Sequence, residues 1–175
     1  MPLTKLDRLL IGSIAVLVGA LIAVIGAAVR PKVIGVGAKA PHFEIRTDTG
    51  LTISPASFGG RLLVLNFWAT WCPPCIEEMP SLDRMQQELR DQGVVVLGVS
   101  VDEDEQAYRR FLERARVSFH TARDPAATIS SLYGTYRYPE SYVIDQQGKV
   151  VQKIIGAVDW TDERMMNYLR SLLQG

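Results

Sequence analysis

A chain of 175 residues has room for one domain and an appendage, and its two cysteines are too few to staple a small scaffold, so the fold must rest on an apolar core. A hydrophobic content of 47% with 22% charged residues is ordinary for a globular protein. The formal net charge is zero and no basic cluster or tail stands out, which argues against a nucleic-acid partner.

The first predicted element is an uncharged run of 21 residues from Leu9 to Val29. As a helix it measures roughly 31 Å, enough to cross a bilayer. It is longer than the apolar core of a cleaved signal peptide, so we read 9–29 as an uncleaved transmembrane anchor preceded by a short N-terminal segment, residues 1–8. Lys5 and Arg8 precede the run and Arg30 and Lys32 follow it, too even a charge to orient it. Ala15, Gly19, Ala23 and Ala27 recur every four residues, a spacing that Gly- and Ala-rich membrane helices show commonly. Residues 30–39 carry Gly and Pro without amphipathic period and read as a linker, with a folded domain over 40–175.

Within that domain, His42–Arg46 and Leu51–Ser54 are short extended runs joined by Asp48-Thr49-Gly50, a hairpin signal. The near-continuous apolar run Arg61–Ala69 predicts a strand buried on both faces. A helix follows over Pro73–Arg90, with Pro80 expected to kink it. Gly93–Asp102 predicts a second buried strand, and Glu103–Arg116 a helix with Tyr108, Phe111, Leu112 and Ala115 on one side. After a short extended piece, Pro125–Leu132 reads as a helix capped by Asp124. Two strands then flank a turn at Gln146–Gly148. A last helix, capped by Asp159 or Thr161, buries Met165, Leu169, Leu172 and Leu173. The alternation of buried strands with amphipathic helices implies an α/β fold, a mixed sheet covered on both faces.

Both cysteines lie in "NFWATWCPPCIEEMP", Asn66 to Pro80, directly after a buried strand and at the start of a helix. In an α/β sheet the active site lies outside the carboxyl ends of the strands. Unpaired N–H groups and the positive end of a helix dipole would stabilise a thiolate at Cys72. Cys75 lies one turn in, close enough for a disulfide. Cys72 is therefore expected to be the exposed nucleophile and Cys75 the more buried, resolving thiol. Pro73 and Pro74 suit a first helical turn and stiffen it.

With "FWATWCPPC" and Pro80 eight residues after Cys72, the sequence resembles the thioredoxin superfamily. The N-terminal hairpin, the extra helix–strand piece between Asp102 and Asp124, and "APHF" at Ala40–Phe43 resemble its membrane-anchored TlpA/ResA/DsbE branch, over Val36–Gly175. The resemblance implies a thioredoxin-like fold and a redox-active Cys72–Cys75 disulfide, with no other cofactor and no metal. In "YRYPES", Tyr136–Ser141, it implies a cis-proline at Pro139 that presents Tyr138 to a substrate chain. It implies that Glu78 assists proton transfer at Cys75, since Asn66 stands where thioredoxin has its buried aspartate and cannot accept a proton. It also implies that Glu140, after the proline, meets substrate, together with Trp71, Pro73, Pro74 and Tyr138. Arg137 replaces the glycine usual in DsbE-type proteins.

The function that the resemblance implies is an extracytoplasmic thiol–disulfide reductase held in the bacterial inner membrane, with residues 1–8 on the cytoplasmic side. Its substrates would be disulfides of apocytochrome c, and its electrons would come from a membrane reductant of the DsbD/CcdA type. Two other readings compete. A copper chaperone of the Sco type needs three residues between the cysteines and a nearby histidine, and the chain holds only His42 and His120. A peroxiredoxin needs a threonine where Ala69 stands, three before Cys72.

Overall fold

The computed structural model describes residues 4–28 and 33–174. The expected charged flank at Arg30 and Lys32 lies outside them. Two units separate, Met1–Lys32 and Val33–Gly175. In the first, Lys5–Ala28 form a helix, α1. Among the described residues no helix is long and apolar enough to cross a membrane.

The second unit is packed from Ile34 onward, earlier than the boundary expected at residue 40. Ile34 is buried, and its amide donates to the Tyr133 carbonyl at 3.0 Å. A two-stranded antiparallel hairpin comes first, β1 (Ile45–Arg46) with β2 (Thr52–Ile53). It is shorter than its alternating residues suggested, because Thr47 closes the turn onto Leu51 through both backbone and hydroxyl. The main sheet has five strands in the order β5-β4-β3-β6-β7. These are β3 (Leu62–Trp68), β4 (Val94–Ser100), β5 (His120–Arg123), β6 (Glu140–Asp145) and β7 (Val150–Ile155). The pairs β3–β4 and β4–β5 are parallel, whereas β3–β6 and β6–β7 are antiparallel.

Every residue of β3 is buried, as a central strand covered on both faces requires. Alternation of side chains divides the core. Leu62, Val64 and Trp68 face α2 (Pro73–Leu89), α3 (Glu105–Ala115) and α5 (Glu163–Leu173). Leu63, Leu65 and Phe67 face the other way, toward Phe43, Ile53 and α4 (Thr128–Tyr133). Gly98 in β4 leaves room for the Trp68 indole: a Cβ there would stand 3.2 Å from Trp68 Nε1 and 2.9 Å from Phe119.

Several local expectations are corrected. Pro80 lies inside α2, which runs to Leu89, one residue short of the expected end at Arg90. The cap of α5 is Asp162, which accepts from the Arg164 amide, while Asp159 instead closes a turn on Thr161. In α5, Met166 is buried where Met165 is only half-covered. The α4 helix starts at Thr128, not Pro125, because Ala127 takes a left-handed conformation (φ 51) that starts the helix late. Asp124 still caps it from a distance, accepting from the Ile129 amide at 2.6 Å. Ala115, expected on the buried side of α3, is exposed.

Candidate active site

The turn that follows β3 is held from below by a buried aspartate. Asp102 accepts from the Thr70 amide at 2.9 Å, the Thr70 hydroxyl at 2.6 Å and the Ser100 hydroxyl at 2.6 Å. This fixes the entry to α2, whose N-cap is Cys72. Cys72 and Cys75 form a disulfide with their Cα atoms 5.3 Å apart.

The helix start differs from expectation in one respect. Pro73 and Pro74 have no N–H to offer, and the first two amides, of Cys75 and Ile76, both donate to the Cys72 carbonyl at 3.0 and 3.2 Å. What remains for a Cys72 thiolate is the longer-range field of the helix rather than a set of free donors. Exposure is also lower than expected. In the disulfide, Cys72 is 5% exposed and Cys75 1%, so the order holds but the leading residue is largely covered.

Around the disulfide, Trp71, Pro73 and Pro74 are exposed. Trp71 meets Tyr138 edge-on, with ring centroids 6.0 Å apart. The Tyr138–Pro139 bond is cis. Trp71 and the half-buried Tyr138 meet where the turn after β3 adjoins the entry to β6, and Pro139 is buried behind them.

Glu78 lies one turn beyond Cys75, and positions three apart on a helix are neighbours. It is 4% exposed. Its Oε1 accepts from Asn66 Nδ2 at 2.7 Å, and its Oε2 accepts from the Val158 amide at 3.3 Å and Trp160 Nε1 at 3.4 Å. All three donors are neutral. Burial therefore dominates and pushes the carboxyl up to about 7, with the hydrogen bonds from Asn66, Val158 and Trp160 opposing. A buried acid with that value can take a proton from a thiol and return it near neutral pH.

Glu140 is placed elsewhere, which corrects its reading as a substrate contact. It is 4% exposed, paired with Lys153 Nζ at 2.6 Å, and accepts from the Tyr142 hydroxyl at 2.6 Å. Strand alternation is the cause: in β6, Ser141 points to the Glu78 side, and Glu140 and Tyr142 point to the opposite face.

The histidines do not reach the disulfide. His42 lines a recess with Gln147 and Gly148, in the turn at the far end of the sheet. His120 opens the edge strand β5 beside Leu97, three positions short of its sulfur-bearing end. Among the described residues no cluster of metal-ligating side chains forms.

Sequence reasoning missed Asp102, Ser141, Val158 and Trp160, and treated Asn66 only as a residue that cannot accept a proton. Asn66 and Ser141 had a signal, being fixed offsets from Cys72 and Pro139. Trp160 and the Val158 amide had none, since nothing local ties the loop after β7 to α2.

Comparison with known proteins adds to this geometry. Residues 36–153 match the sequence profile of the AhpC/TSA family. The chain is 34% identical over 137 residues to a thiol-disulfide oxidoreductase ResA of Bacillus thuringiensis subsp. konkukian, covering 78% of each chain. It is 30% identical over 139 residues to a protein of the same name from Bacillus subtilis, covering 79% of this chain and 76% of that one. The crystal structure of a putative thiol:disulfide interchange protein DsbE from Chlorobium tepidum superposes with a TM-score of 0.73 at 30% identity, over 81% of this chain and 99% of that one.

Proposed function

From the premise that this chain belongs to the AhpC/TSA family and is a thioredoxin-like thiol–disulfide oxidoreductase, we propose that it works as a reductase outside the cytoplasmic membrane. The observation that carries the exchange chemistry is the buried Glu78 one helical turn beyond Cys75, and the reducing direction is supported by the resemblance to the TlpA/ResA/DsbE branch. A reductase must deprotonate its second thiol to release product, and Glu78 is the proton acceptor on hand.

The cycle begins with the dithiol. The Cys72 thiolate attacks one sulfur of a substrate disulfide, forming a mixed disulfide and expelling the other substrate sulfur as a thiolate. Glu78 then takes the proton of Cys75. The Cys75 thiolate attacks the Cys72 sulfur, re-forming the Cys72–Cys75 bond and releasing the second substrate sulfur. Two electrons pass from the protein to the substrate, and Glu78 returns its proton to solvent. The exposed Trp71, Pro73 and Pro74, with the half-buried Tyr138 before the cis bond to Pro139, supply the surface against which the substrate chain lies.

The anchor, the substrate and the electron donor complete the proposal. The uncharged run Leu9–Val29 would tether the catalytic unit to the inner membrane, on the side where disulfides form. The resemblance to the TlpA/ResA/DsbE branch supports apocytochrome c disulfides as substrate and a membrane thiol reductant of the DsbD/CcdA type as donor. Cys75→Ser is the test. It should trap a mixed disulfide through Cys72 that Cys72→Ser does not trap, and the trapped partners should include apocytochrome c. Equal trapping by both variants would overturn the assignment of Cys72 as attacking and Cys75 as resolving sulfur.

A further inference from the structure

Among the described residues, every group hydrogen-bonded to the Glu78 carboxylate donates to it. Val158 offers a backbone N–H and Trp160 an indole N–H, neither able to accept. A protonated Glu78 carries an O–H that needs an acceptor. The neighbour that has one is Asn66, whose Nδ2 now faces Glu78 Oε1 at 2.7 Å and Ser141 Oγ at 2.9 Å. Its own Oδ1 is buried and has no partner among the described residues. No hydrogen bond among the described residues therefore holds Oδ1 in the observed setting.

We propose that the Asn66 amide is a two-state positioning group that presents Nδ2 to the ionised Glu78 and, after a half-turn about its Cβ–Cγ bond, Oδ1 to the protonated one. Ser141 makes both settings workable. Its hydroxyl accepts from Nδ2 in the first and donates to Oδ1 in the second, as a rotatable O–H allows. The other surroundings of Glu78 offer no competing charge at contact distance. Cys75 and Ser81 flank it on α2, where the Ser81 hydroxyl donates to the Glu78 carbonyl. Glu77, Arg84 and Asp159 line the recess of about 310 Å³ outside it. On β6, Glu140 faces away, held by Lys153. The arrangement lets one buried carboxyl hold a proton and then shed it without moving its helix.

The inference rests on Glu78 serving as the proton partner of Cys75, and the test separates the two. In the full chain, nuclear Overhauser contacts between the Asn66 side-chain amide protons and Ser141 Hβ are followed two pH units above and below the Glu78 titration midpoint. They should be present above it and lost below it. Contacts that persist across the titration overturn the switch. A second arm uses Asn66→Leu, which can neither donate nor accept. It should slow release of substrate thiol from the mixed disulfide about tenfold on both limbs of the pH profile, with the midpoint moved by less than about half a unit. A midpoint raised by about one unit or more, with the slowing confined to one limb, would mean a fixed donor and would also overturn it. If Glu78→Gln leaves release unchanged at every pH, the proton-partner reading fails and takes this inference with it. If Glu78→Gln slows release while the Asn66 contacts stay fixed, the inference alone fails.

Discussion

Two glutamates flank the same stretch of sheet, each 4% exposed, and they are held in opposite ways. Glu140 lies against the Lys153 ammonium and the Tyr142 hydroxyl. Glu78 meets only neutral donors, and its carboxyl is pushed up to about 7. Burial is shared, so the partner decides what each does. An ammonium within 2.6 Å compensates a carboxylate and locks it as a structural ion. Neutral N–H groups compensate it incompletely and leave a proton that moves. The face of β6 on which a side chain falls thus separates the structural acid from the acid poised for chemistry.

The comparison breaks most visibly at Lys153. Lys153→Met leaves Glu140 buried without its counter-ion and should lower the stability of the oxidised protein by about 3–5 kcal/mol, read from urea unfolding. Adding Glu140→Gln should restore much of that loss, because no charge is then stranded. If Lys153→Met costs no more than an exposed lysine would, the two glutamates are not held differently after all.

Glu78 sharpens it from the other side. The folded-state value is raised, so the native protein keeps a proton that the unfolded chain gives up near 4.5. The native form is favoured most below about 4.5, and this contribution is lost as the pH rises through about 7. The full span is worth about 3 kcal/mol. Unfolding free energies at pH 5 and pH 8 should therefore fall further apart in the parent protein than in Glu78→Gln, which has no proton to lose. Equal pH dependence in the two proteins would place the Glu78 carboxyl in water.

The smallest effect is at Tyr142. Burial, with the hydrogen bond to Glu140 second, pushes its hydroxyl up, so it stays a neutral donor. Tyr142→Phe removes one bond to a charged acceptor and should cost about 1.5 kcal/mol, with disulfide exchange unaffected in a thiol-release assay. A change in the pH profile of exchange would show that the Glu140 side feeds into the chemistry.

The parts of the molecule legible in the sequence are those whose signals are local. The apolar run before Cys72 and the helical spacing after it lie within one short stretch, and the structure places the disulfide at their junction. Glu140 was misplaced because adjacency to Pro139 says nothing about which face a strand residue takes; register with β3 decides that. The α5 cap was expected at Asp159 or Thr161, but these two close a turn on each other and Asp162 caps the helix instead. The Glu78 cage joins residues 66, 141, 158 and 160, brought together by sheet order and by the loop after β7. No periodicity within the chain encodes those meetings.

Of the three tryptophans, Trp68 and Trp160 are fully enclosed, while Trp71, adjoining Cys72, is 64% exposed. Trp68 and Trp160 belong to the same packed cluster as Cys72 and Cys75, Trp71 adjoins Cys72 in the chain, and a nearby sulfur–sulfur bond quenches an indole by electron transfer. The protein therefore carries its own optical gauge. Its emission should brighten when the bridge opens and dim when it closes, so turnover can be followed in real time without a dye.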